Sequence, residues 1–176
     1  MSHTSQRALL VIDLQNDYFA TGKFPLWNTE EVLKNTLVAI EKAQQAGGLV
    51  VLVQHVADAS RGIAPFFNEG TTGVEIHPQV LAAAPDAPVV VKSHADSFID
   101  TSLAAVLASH NIEKLLVCGM MTQNCVAHTA LSPDASGYDL QVLAEATSTV
   151  DVMIHNIALN AISTRRPLVT LDTAFA

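Results

Sequence analysis

A chain of 176 residues with a formal net charge of −8 and no block of Lys or Arg lacks the charge to neutralise phosphates, which excludes nucleic acid as a partner. Its 49% apolar content lies in runs far shorter than the ~18 residues a membrane span needs, so a membrane is excluded as well. Two cysteines seven positions apart, Cys118 and Cys125, form neither a disulfide framework nor a zinc spacing. Met1–Gln6 lacks the charged and apolar regions of a leader. The expectation is one soluble, cytoplasmic domain over 1–176, and the apolar surplus points to a homo-oligomer.

Short β-branched runs alternate with longer amphipathic stretches, the pattern of an α/β fold whose parallel sheet is covered on both faces. The first strand, expected near 7–13, ends on Asp13. Asn28-Thr29-Glu30-Glu31 reads as a capped helix start and Gly47-Gly48 as its stop, enclosing a helix over 29–46. Val32, Leu33, Thr36, Leu37, Ile40 and Ala43 share one face of it, the spacing that packs on a sheet. A second strand follows at 49–55. The stretch 56–77 then breaks the rhythm, and its adjacent Phe66 and Phe67 argue that this long loop is ordered. A short helix near 78–84 leads to a third strand at 88–92 that ends on Lys92, and a helix at 100–110 leads to a fourth at 114–119. After Gly119 a helix is expected over 124–132, with Cys125 on its first turn, where free backbone N–H groups and the helix dipole favour a thiolate. Strands near 139–144 and 167–171, separated by a helix at 149–163, complete the chain.

Asp13, Lys92 and Cys125 all fall at strand ends, and ligands of open parallel sheets bind at the carboxyl ends of the strands. A Lys ammonium lowers the pKa of a nearby thiol. Asp13 can take the thiol proton and return it to a leaving amine, while backbone N–H groups of the turn hold an oxyanion. That set suits hydrolysis of a small amide through a thioester. No Gly-x-Ser-x-Gly, Gly-x-Gly-x-x-Gly or Walker motif supports another chemistry, and no cofactor is expected. The seven histidines are scattered and form no pair at metal-ligand spacing; His55, His94 and His128 lie nearest the three strand ends. Phe19, Trp27, Phe66 and Phe98 are the candidates for contacting a small-molecule substrate.

Asp13-Leu14-Gln15-Asn16-Asp17-Tyr18-Phe19, Lys92-Ser93-His94-Ala95-Asp96-Ser97-Phe98 and Gly119-Met120-Met121-Thr122-Gln123-Asn124-Cys125-Val126 together resemble the three signature segments of the isochorismatase-like cysteine hydrolases. Gly70–Pro78 is similar to the loop before strand three of that family. The resemblance implies a three-layer α/β/α fold with a six-stranded parallel sheet and a catalytic triad of Asp13, Lys92 and Cys125. It also implies a cis peptide bond between Met120 and Met121, with the N–H groups of Met121 and Cys125 as oxyanion hole. Gln54-His55-Val56-Ala57-Asp58 stands where the nicotinamidase branch has an Asp-x-His metal motif, so neither a metal nor nicotinamide is expected. The chain resembles the metal-free amidase side of the family. Two alternatives stay open: isochorismatase-type enol-ether hydrolysis by Asp13 and Lys92 alone, and a non-catalytic oligomer that binds a small ligand or a partner protein.

Overall fold

The computed structural model describes residues 6–176, so His3 and most of the segment read for a leader lie outside the described residues. Six strands form one parallel sheet in the order β3-β2-β1-β4-β5-β6. They are β1 (Arg7–Ile12), β2 (Leu49–His55), β3 (Val89–Lys92), β4 (Lys114–Met120), β5 (Asp139–Ser148) and β6 (Leu168–Val169). The helices are α1 (Thr29–Gln45), α2 (Pro78–Ala83), α3 (Leu103–Ser109), α4 (Ala127–Ala130), α5 (Val152–Ser163) and α6 (Leu171–Ala174).

Alternate residues of β1 face opposite sides of the sheet, and both sides are buried, which is why the strand reads as a continuous apolar run. Leu9 and Val11 join a core built with α1, α2 and α6. Ala8, Leu10 and Ile12 join a second core built with α3, α4 and α5. The result is the expected three-layer α/β/α architecture.

Four local features differ from the sequence reading. The helix expected over 124–132 is a π-helical turn, Thr122–Val126, followed by the single turn of α4. Asn28 starts α1 with φ +58° and its side chain does not cap the helix, whereas α5 is capped by Asp151, which accepts from Ile154 N–H at 2.8 Å. The last strand shortens to two residues and hands over to α6. β5 runs on to Ser148 because its register with β4 shifts between Val117 and Gly119. Gly119 has φ +124°, and a Cβ there would sit 2.0 Å from the Ile12 carbonyl oxygen. Only glycine lets the end of β4 lie this close to the end of β1.

The 56–77 loop is ordered, as its aromatic pair suggests. Phe67 is 1% exposed and packs on Tyr18 with ring centroids 4.6 Å apart. The loop's far end is stitched to the chain after β1: Asn16 N–H donates to Glu75, and His77 N–H to Leu14. The tip around 58–63 is an unbroken exposed run.

Candidate active site

The strand order reverses between β1 and β4, and the crevice at such a point is where parallel sheets hold ligands. Asp13 leaves β1 with φ +55° and donates its N–H to the Val53 carbonyl, which turns the chain end toward β2. Lys92 closes β3, and parallel register sets it beside His55 of β2. Cys125 follows β4 through Gly119, a cis Met120–Met121 peptide bond and the π-helical turn. The cis bond stands at the expected position.

The three side chains converge. Lys92 Nζ donates to Asp13 Oδ2 at 3.1 Å and to Cys125 Sγ at 3.2 Å, and the Lys92 and Asp13 side chains are both fully buried. Two further polar atoms surround the same nitrogen: His55 Nδ1 at 2.9 Å and the His94 carbonyl, which accepts from it at 3.0 Å. The other Asp13 oxygen, Oδ1, is buried without a partner among the described residues.

Burial disfavours the Lys92 ammonium, but the Asp13 carboxylate and the Cys125 sulfur outweigh it and hold the amine above its ordinary pKa. For Cys125 the balance runs the other way, which corrects the thiolate expected at a helix start. Burial, then the Asp13 charge, raise the thiol; Lys92 lowers it but does not prevail. Desolvation costs an anion at a 2% exposed position more than one ammonium and a π-helical turn return. Burial also pushes the Cys118 thiol up to about 12, as expected for a core cysteine. Burial, and after it the Lys92 charge, hold His55 below its ordinary range.

Two residues of the first signature segment have roles that the sequence reading did not assign. Gln15, fully buried, accepts from the His55 N–H at 2.8 Å and donates to the His55 carbonyl at 2.8 Å and the Val74 carbonyl at 2.7 Å. Asp17 accepts from the Lys23 and Phe67 N–H groups, and a Cβ on Gly73 would lie 2.1 Å from its Oδ1. The two-residue spacing of Asp13, Gln15 and Asp17 was the available signal; their partners are far along the chain. In the second segment, Ser97 N–H and Oγ meet Thr129 Oγ1 of α4 at 3.0 and 2.8 Å, tying the chain after Lys92 to the helix after Cys125.

A cavity of about 380 Å³ beside the cluster is lined by His55, Ser93, His94 and the 57–65 loop, including Asp58, Arg61 and Ile63. The four aromatic candidates lie elsewhere. Phe19 packs at a tilt on His77, 4.5 Å between centroids, in a second cavity of about 380 Å³; Asp13, Lys92 and Cys125 line neither cavity, and the first reaches the cluster through His55. Phe66 packs against Tyr18, Phe24 and Phe67. Phe98 is 7% exposed in the same core as Cys125, stacked on Tyr138. Trp27, half-exposed, packs on His155, whose Nδ1 meets Thr122 Oγ1 of the π-helical turn at 2.9 Å. His94 turns its ring outward to Asp100, and exposed His128 lines a third cavity with Asp96 and Gln123.

Asp13, His55 and Cys125 offer metal-ligand atoms within 4.8 Å of one another. Lys92 Nζ already lies 2.9–3.2 Å from an atom of each, so a divalent cation would have to share the space of an ammonium. These residues do not fit a metal.

Comparison with known proteins gives the same assignment over nearly the whole chain. The family model described as the isochorismatase domain matches residues 7–173. The uncharacterized isochorismatase family protein YddQ of Bacillus subtilis is 38% identical over 149 residues, 85% of this chain and 81% of that protein. Streptothricin hydrolase of Streptomyces noursei is 33% identical over 146 residues, 83% of this chain and 56% of that protein. The crystal structure of a putative isochorismatase hydrolase from Oleispira antarctica superposes with a TM-score of 0.88 at 32% identity, covering 99% of this chain and 98% of the other. With the sheet order, the converging strand ends and these matches in agreement, the chain belongs to the isochorismatase family of hydrolases.

Proposed function

We propose that the protein is a metal-independent cysteine hydrolase that cleaves a C–N bond of a small amide. The observation that carries this reading is one buried ammonium touching both the Asp13 carboxylate and the Cys125 sulfur, at 3.1 and 3.2 Å. Because burial keeps the resting thiol protonated, the nucleophile forms only as its proton leaves. The S–H proton passes to Asp13 while Sγ bonds to the amide carbonyl carbon. The N–H groups of Met121 and Cys125 receive the oxyanion. Asp13 then protonates the leaving nitrogen as the C–N bond breaks, leaving a thioester. Water, deprotonated by Asp13, attacks that thioester; the acid departs and the sulfur recovers its proton.

A cavity of about 380 Å³ beside the cluster has the volume for a small molecule, toward the low end for ligand pockets. The streptothricin hydrolase and nicotinamidase among the relatives support an amide-type substrate. The test is an ammonia-release screen over small amides, ureides and carbamoyl compounds, with Cys125→Ala as control. Turnover should vanish in Cys125→Ala and survive exhaustive chelation. Turnover that persists in that variant, or that needs zinc, iron or manganese to return, overturns the reading.

A further inference from the structure

We infer that His55 is a positioning residue of the catalytic cluster: its Nδ1 accepts a hydrogen bond from Lys92 and so holds the ammonium between Asp13 and Cys125. The inference rests on the proposal that those three residues are the reacting groups.

Three observations place His55 in this role. Its Nδ1 is the nearest of the four acceptors around Lys92 Nζ, at 2.9 Å. His55 and Lys92 are register partners on adjacent parallel strands, so their side chains leave the sheet on the same face. The backbone of His55 is clamped at both its N–H and its carbonyl by buried Gln15, and the Phe67 ring lies 5.9 Å from its imidazole. A strand end that carried only a solvent-facing polar residue would not need this support.

A count of hydrogens shows what the contact does. An ammonium has three N–H donors, and Lys92 faces four acceptors. Two of these, His55 Nδ1 and the His94 carbonyl, are neutral and take two donors throughout. The third hydrogen is left for Asp13 and Cys125 to share. In the resting state the negative charge is on Asp13, and that hydrogen belongs to Oδ2. When the thiol proton moves to Asp13, the charge moves to sulfur and the hydrogen follows it over a nearly equal reach. Without His55, the ammonium is free to give two hydrogens to the only full negative charge in the resting cluster, which draws it away from the sulfur. A carboxylate in place of His55 would pull it away as well, whereas a neutral imidazole tethers it without competing.

The hydrogen bond fixes the tautomer: Nδ1 bears the lone pair and Nε2 the proton. The titratable groups facing His55 are Asp13 after β1, Lys92 on β3, His94 after β3 and Cys125 on the π-helical turn. Asp58 and Arg61 share the lining of its cavity. A proton on Nδ1 would set a second cation 2.9 Å from the ammonium.

Two measurements on the full-length protein decide the matter. Nitrogen-15 NMR of the wild-type imidazole between pH 7 and 8 should show Nε2–H; a proton on Nδ1 overturns the inference. Alkylation of Cys125 by iodoacetamide should then be followed against pH. His55→Leu should raise the midpoint by about one unit, which is an about tenfold slower reaction at pH values well below both midpoints. His55→Asn, which restores an uncharged acceptor near the Nδ1 position, should bring the midpoint back toward wild type. An unchanged midpoint in His55→Leu, or equal midpoints in the Leu and Asn variants, also overturns it. Should His55→Leu not fold, the wild-type tautomer decides alone. Turnover that survives Cys125→Ala would instead overturn the proposed function, while the tautomer would still report on the contact between His55 and Lys92.

Discussion

At the scale of single residues, the site is governed by what burial does to charge. Asp13 and Lys92 are taken out of water together, and each needs the other: breaking such a pair from one side costs about 3–5 kcal/mol because it strands a buried charge. Lys92→Met should therefore destabilise the fold by up to that amount. Its effect on Cys125 is more diagnostic. Lys92 opposes burial and Asp13 at that thiol, so removing the ammonium raises the thiol pKa further. The pH midpoint of Cys125 alkylation should move upward in Lys92→Met, with Cys118 remaining unlabelled while the protein is folded. An unchanged midpoint would mean that the ammonium does not support the thiolate. The residues Asp13, Lys92 and Cys125 were legible in the sequence from the strand ends on which they fall. The sign of the shift at Cys125 was not, because it depends on how completely three distant segments exclude water.

At the scale of elements, the site depends on the loop 56–77 being held against the chain after β1. Asp17 is 2% exposed and accepts from two backbone N–H groups, one at Lys23 and one at Phe67. Asp17→Ala leaves the buried Phe67 donor unsatisfied, at a cost of about 1–3 kcal/mol. The expected result is faster limited proteolysis between 57 and 70 and weaker turnover, with the sheet still intact by far-UV circular dichroism. Proteolysis at the wild-type rate would show that Phe67 packing alone fixes the loop. Elements with strong periodicity, such as α1 and the buried strands, were legible within a few residues. The π-helical turn was not: its local sequence is compatible with an ordinary helix, and only the packing of Thr122, Cys125 and Val126 against the sheet and α5 selects the wider turn.

At the scale of the whole molecule, titration and surface lead to two predictions. Cys118 goes from 9.0 to about 12 on folding, so the unfolded chain loses that proton first and the associated stability is lost between those pH values. Cys125, Tyr18 and Lys92, all raised in the fold, act in the same direction. His55, His77 and His155 are lowered by burial from 6.5, so the unfolded chain gains protons first as pH falls below that value. Thermal melts should therefore show a plateau between about pH 6.5 and 9 with losses on both sides, and Cys118→Ala should flatten the alkaline limb. A melting temperature constant to pH 11 would contradict this. The second prediction concerns α5, which carries no Asp, Glu, Lys or Arg and exposes Met153 at 70% and Ile157 at 64%. Contiguous exposed apolar surface of this kind marks interaction sites. Sedimentation at micromolar concentration should give a dimer or larger, and Ile157→Lys should shift it toward the 18.7 kDa monomer. A wild-type monomer would sink the expectation.

The sequence by itself determined the layered architecture, because buried parallel strands must be apolar on both faces and the helices between them on one. It also pointed to Asp13, Lys92 and Cys125 as the candidate reacting groups, because ligands of a parallel sheet gather at the carboxyl ends of its strands. Tertiary structure decided the rest. Register between β2 and β3 set His55 beside Lys92, a pairing 37 residues apart that no local pattern encodes. Packing decided that the aromatic residues Phe66 and Phe98 fill cores while the 57–65 loop, with Asp58 and Arg61 among small and apolar residues, forms the wall of the cavity next to the cluster. Burial decided that Cys125 rests as a thiol. Propensity and periodicity act along the chain, whereas desolvation and hydrogen-bond partnership are set by what the fold brings together.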